Sequence, residues 1–192
     1  HAIESALWDI HAKRQGESLA SVLGGVTDVV EVGAVVGMHD TVDAVVAEVM
    51  QRVSEGYARI KIKIAPGHDS DVLAAVRDAV GIEYALQADA NGAYSASDID
   101  LLCSFDSFAL QFIEQPFAAH DLDSHRQLSQ RCATSVCLDE SVMTTAHLLT
   151  ALDLGACDVV NIKPSRVGGI REAIAMHDVL VERGVDAWVG GM

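Results

Sequence analysis

Five mostly apolar runs in this sequence close on a charged residue at nearly constant intervals. They end at Lys63, Asp89, Glu114, Asp139 and Lys163, so successive intervals are 26, 25, 25 and 24 residues. Ala-rich amphipathic segments lie between them. A β-branched run followed by an amphipathic helix, repeated, is the pattern of successive β-α units and of a parallel sheet. An open doubly wound sheet has the same rhythm but spreads its strand ends along a line. A barrel instead gathers the carboxyl ends of all its strands around one mouth, where active sites lie. The charged termini therefore favour a TIM-type (β/α) barrel of the α/β class.

Seven strand candidates follow from the pattern: "VVEVGAVVG", "YARIKIKI", "EYALQAD", "FALQFIE", "TSVCLDE", "CDVVNIK" and "VDAWVG". Helices are expected near 41–55, 69–80, 97–104, 121–132, 144–154 and 169–183. Residues 1–28 read as a helical lead-in, with Ile3, Leu7 and Ile10 at helical spacing and Trp8 beside them. That helix breaks at Gly16, and a second short one closes at Gly24 and Gly25. Residues 29–192 form the catalytic barrel segment. A TIM barrel has eight strands and typically about 250 residues. The seventh strand ends within the final "WVGGM", so the expectation is an incomplete barrel, and an inactive truncated barrel piece is one of the alternatives for function.

Half of the 192 residues are hydrophobic, enough for one sizeable core, and the formal net charge is −15. Such a surface repels phosphate backbones and anionic headgroups, so nucleic acid and membrane are poor partners. Cys103, Cys132, Cys137 and Cys157 lack C-x-x-C spacing and sit in or beside apolar runs, as small reduced core residues do. No apolar run approaches the roughly 18 residues of a membrane span. A cytoplasmic location is expected.

On consecutive barrel strands, Lys63 and Lys163 end the second and sixth and face each other across the mouth, while Asp89, Glu114 and Asp139 lie on the arc between. Three carboxylates without sulfur or imidazole suit a hard ion, Mg²⁺ first and Mn²⁺ second. Taken singly, each acid reads more readily as a helix N-cap or a solvated loop residue, and it is the three in register between two lysines that favour a site. Uncompensated, the three repel one another, and a divalent cation relieves that. Such a site suits removal of a proton next to a carboxylate, because a cation there stabilises the developing enediolate charge. Lys61 shares a strand face with Lys63. Two lysines so placed fit an exposed edge, or, in a site, Lys61 supplies a like charge that lowers the pKa of Lys63 toward that of a base. Racemisation and β-elimination both follow from one base on each side of a substrate, and spacing does not choose between them.

The motifs "ALWDIHAK", "KIK", "DAN", "IEQP", "LDES", "NIKPSRVGG" and "GGM" resemble the enolase superfamily, specifically its muconate-lactonising-enzyme subgroup. Within it, "IKIAPGHD", "NIKPSRVGG" and "WVGGM" look most like o-succinylbenzoate synthases and N-acylamino acid racemases. Pairing a Lys or His base with Mg²⁺ is the known arrangement of that superfamily. The resemblance implies Asp89, Glu114 and Asp139 as Mg²⁺ ligands and Lys63 and Lys163 as the acid/base pair. It implies a small-molecule carboxylate substrate, a homo-oligomeric parent protein, and dehydration to o-succinylbenzoate for menaquinone biosynthesis. N-acylamino acid racemase, dipeptide epimerase and muconate-type cycloisomerase are the alternatives.

Three supporting positions complete the reading. Lys61 is the first. Asn91 could approach metal or substrate, or form an Asx-turn in "ANGAY". Arg166 could polarise Lys163, or be a solvated loop residue. Glu140, next to Asp139, is expected to point away. Gly168 and Gly169 ahead of a helix could bind phosphate, although tight packing explains them as well. The eight histidines show no paired ligand spacing and read mostly as surface residues. Trp8 and Trp188 read as packing residues.

Overall fold

The computed structural model describes residues 1–191; Met192, the last residue of "GGM" and of the 29–192 segment, lies outside the described residues. Each of the seven expected runs contains a strand: β1 (Ala34–Val36), β2 (Arg59–Lys63), β3 (Ala85–Asp89), β4 (Phe112–Glu114), β5 (Ser135–Leu138), β6 (Val159–Ile162) and β7 (Asp186–Val189). They pair in parallel in chain order. Asp139 and Lys163 sit one residue past the last paired residue of their strands.

The sheet curls. In a flat sheet β2 and β7, five strands apart, would be separated by about 24 Å. Here the Arg59 guanidinium of β2 lies over the Trp188 ring of β7, 4.5 Å from its centroid. The described residues thus form seven of the eight strands of a TIM-type barrel, with β1 and β7 as the edges of the sheet.

Side-chain alternation sorts the two faces of the sheet. Outward residues such as Ile60, Ile62, Leu86, Ile113, Val136 and Val160 are fully buried under the helices. Those helices are α3 (Val42–Ser54), α4 (Ser70–Val80), α5 (Ile99–Ser104), α6 (Leu122–Arg131), α7 (Thr145–Leu154) and α9 (Ile170–Arg183). The inward apolar cluster is small, with Phe112, Cys137 and Val159 packed against Trp188, because most other inward positions are polar. A four-residue helix, α8 (Pro164–Val167), was not anticipated. It starts on Pro164, whose missing N–H costs nothing at a first helical position.

The lead-in holds α1 (Ala2–Gln15) and α2 (Leu19–Val22). The stripe of Ile3, Leu7 and Ile10 is exposed, while Ala12 is buried. What fastens α1 is polar: the Glu4 carboxylate accepts from Ile170 N at 2.8 Å and Arg171 N at 3.0 Å. It therefore caps α9, whose own N-cap, Gly169, has no side chain. A Cβ on Gly169, at φ 148°, would overlap the Glu4 carboxylate. The helix start considered for phosphate thus holds a carboxylate of this chain, and the packing explanation for Gly169 stands.

The cysteine expectation needs correcting. Cys103 at the end of α5 and Cys132 just after α6 form a disulfide, while Cys137 and Cys157 are free and buried. Crossover helices after adjacent strands lie side by side, so cysteines far apart in sequence meet without any C-x-x-C spacing. Among the described residues no helix is long and apolar enough to cross a membrane.

Candidate active site

The carboxyl ends of β2 to β6 bring the sequence-predicted residues together. Asp89 and Glu114 are register partners on β3 and β4. Each carboxylate is buried and engaged by a cation. Lys61 Nζ donates to Glu114 Oε2 at 2.7 Å and lies 3.2 Å from Asp89 Oδ2. Lys63 Nζ donates to Asp89 Oδ2 at 2.7 Å and also to Asn91 Oδ1. At the other end of the row, Lys163 Nζ donates to Asp139 Oδ2 at 2.8 Å, and Arg166 binds the remaining Asp139 oxygen. Lys63 and Lys163 flank the three acids, and their side chains are 30% and 17% exposed.

Lys61 is neither at an edge nor exposed, at 8% exposure. Burial alone would lower its pKa, yet Glu114 and Asp89 together raise it, so it is a firm cation. Its charge is balanced by those two carboxylates, which removes the expected role of an uncompensated like charge beside Lys63. Glu114 moves upward from the ordinary carboxylate value, through burial first and then the negative charge of Asp89, with Lys61 and Asn161 opposing. A buried acid raised in this way beside a second carboxylate forms a donor set that a divalent cation suits. All the ligand atoms on offer are oxygens, as Mg²⁺ prefers. As they stand, however, no three His, Cys, Asp or Glu side chains among the described residues are grouped as a metal cage; the acids are turned onto lysines and an arginine.

Asn91, with φ 44°, does not make the expected Asx-turn with its own side chain, which faces the rim: its N–H donates to Asp89 Oδ1 at 3.2 Å, its Oδ1 accepts from Lys63 and its Nδ2 donates to Glu140 Oε1 at 2.9 Å. Glu140 therefore does not point away, and its other oxygen is buried without a partner among the described residues. Arg166 is no solvated loop residue. It acts on Asp139 rather than on Lys163, and also donates to Asn161 O at 2.7 Å and Val142 O at 3.3 Å.

Three residues were missed. Asn161 donates from Nδ2 to Glu114 Oε1 at 2.8 Å. It lies two before Lys163, so strand alternation could have placed it on the same inward face. Gln115 and His125 are buried behind Glu114 and Asp139. Gln115 was inside the quoted "IEQP", whereas nothing in the spacing of His125 distinguished it from a surface histidine. A cavity of about 530 Å³, lined in part by Lys61, Asn161, Lys163 and Trp188, opens beside the row and is roomy enough for a small ligand.

A sequence profile described as "Enolase C-terminal domain-like" matches residues 44–192. An o-succinylbenzoate synthase of Geobacillus kaustophilus is 47% identical over 191 residues, which cover 100% of this chain and 51% of that protein. An N-succinylamino acid racemase of Amycolatopsis sp is 42% identical over 191 residues, covering 100% and 52%. Among solved structures, a dipeptide epimerase of Enterococcus faecalis V583 complexed with Mg and the dipeptide L-Leu-L-Tyr is similar with a TM-score of 0.95 at 27% identity, covering 100% of this chain and 55% of that one. The chain spans about half the length of the curated relatives it matches.

Proposed function

Because this chain belongs to the enolase C-terminal domain-like family, we propose that the protein abstracts a proton alpha to a carboxylate with the help of Mg²⁺, foremost as an o-succinylbenzoate synthase. The observation that carries this reading is the buried row Asp89, Glu114 and Asp139 with a lysine bonded to each end. Asp89, Glu114 and Asp139 would hold Mg²⁺, with Mn²⁺ as a substitute. When bound, the ion supplies positive charge beside the substrate carboxylate. Lys63, the more exposed lysine, takes the α-proton at Nζ and returns it to the leaving hydroxide, which departs as water. Lys163 stays cationic opposite it and stabilises the enediolate charge.

N-acylamino acid racemisation is the second reading, favoured by the lysine on each flank: Lys163 would then deliver a proton to the opposite face. A small-molecule carboxylate substrate, a homo-oligomeric assembly, and no nucleic-acid or membrane partner belong to the same proposal. So does a cytoplasmic setting.

The test assays the purified protein with Mg²⁺ for dehydration and racemisation, following exchange of the substrate α-hydrogen in D₂O. Lys63→Ala and Lys163→Ala are each expected to lower dehydration by about 10²- to 10⁴-fold. Lys163→Arg should spare more dehydration than racemisation, since it keeps the cation and loses the base. Equal loss of both activities in Lys163→Arg contradicts the cationic role.

A further inference from the structure

Gln115 follows Glu114 directly and is 1% exposed, yet its backbone has φ 41°. A glycine would take that conformation without strain, whereas a side chain there is strained. What the side chain does accounts for its presence. Its Oε1 accepts from Asp139 N at 2.9 Å and Ser141 N at 3.1 Å. Its Nε2 donates to Phe117 O at 2.9 Å and Ser141 Oγ at 2.8 Å, with His125 Nε2 at 3.2 Å. Its backbone N–H donates to Cys137 O at 2.8 Å, and its carbonyl accepts from Gly92 N at 2.7 Å. One residue thus ties the turn after β3, the end of β4 and the end of β5 together, and its amide oxygen grips the backbone of Asp139 itself.

We propose that Gln115 is the positioning residue that sets Asp139 against Glu114, and so fixes the spacing of two of the three carboxylates that would hold the metal. The inference rests on the metal reading proposed above. Outer partners that orient metal ligands commonly govern affinity, with losses of about 10- to 100-fold when removed.

The test titrates Mg²⁺ calorimetrically into the purified protein and into Gln115→Met, Gln115→Gly and Ser141→Ala. Gln115→Met keeps size and backbone strain but loses the amide. Gln115→Gly relieves the strain and loses the side chain, so it decides the matter if Gln115→Met does not fold. Ser141→Ala removes one partner of Gln115 while leaving the bond to Asp139 N. The unsubstituted protein and Ser141→Ala are expected to bind Mg²⁺ alike, and both Gln115 variants about 10- to 100-fold more weakly with native circular dichroism. Unchanged affinity in a folded Gln115 variant overturns the positioning role and leaves the metal reading intact. So does a loss in Ser141→Ala equal to that in Gln115→Met, which marks a merely structural network. No Mg²⁺ binding by the unsubstituted protein overturns the metal reading and this inference with it.

Discussion

His125 shows how a single buried group can set a pH limit. Its Nδ1 donates to Asp121 O at 2.7 Å, which leaves Nε2 as the unprotonated acceptor for Phe117 N at 3.4 Å. Burial holds its pKa below 6.5, and Asp121 only partly offsets this. Below about pH 6.5 the unfolded chain therefore takes up a proton that the folded chain refuses. Stability falls as the pH drops through that value, and keeps falling until the folded pKa is reached. Urea denaturation at about pH 7.5 and about pH 5.5 should show a larger loss for the natural chain than for His125→Gln; equal losses would remove His125 from the account. At this scale the sequence was legible where a charge closes an apolar run, as at Asp89 and Glu114. It was opaque where a polar side chain is satisfied by backbone from another strand. Gln115 and His125 are defined by such partners, and no local pattern encodes a carbonyl brought near by folding.

Among the elements, the joint between α4 and β3 depends on one side chain. Arg77, near the end of α4 and 7% exposed, donates to Gly81 O at 2.6 Å, Tyr84 O at 2.9 Å, Phe108 O at 2.8 Å and Ala109 O at 3.1 Å. Its planar fork collects carbonyls from two loops, those of half-buried Tyr84 and Phe108 and of Gly81 and Ala109. Lysine offers a point charge and cannot span them. Arg77→Lys is therefore expected to destabilise the protein by about 2–3 kcal/mol in urea denaturation while leaving Mg²⁺ affinity unchanged; a midpoint equal to that of the natural chain would disprove the staple. The six longer crossover helices were foreseeable because their apolar residues repeat at helical spacing between β-branched runs. The turn α8 was not, since four residues carry no period and Pro164 reads equally well as the start of a loop.

For the molecule as a whole, the net charge of −15 contrasts with a site in which Lys61, Lys63 and Lys163 each meet a carboxylate. The Cys103–Cys132 bridge closes a 29-residue separation across two neighbouring crossover helices, which by loop-closure entropy is worth on the order of 3–4 kcal/mol. Dithiothreitol, or Cys103→Ser, should lower the unfolding free energy by up to about that amount, measured by denaturation with and without reductant; identical curves would show that the bridge contributes nothing. Cys137 and Cys157 should stay unreactive throughout, because burial raises both thiol pKa values, that of Cys157 to about 12. The docking of Glu4 on Ile170 and Arg171 has a temporal side. During synthesis the first helix emerges from the ribosome long before its receptor exists, and some 160 further residues must be translated before the carboxylate can find those two amides. Until then Glu4 has neither of its two partners, so a nascent chain stalled before residue 170 lacks the contact by which the finished polypeptide clasps the helix bearing Ile3, Leu7 and Ile10.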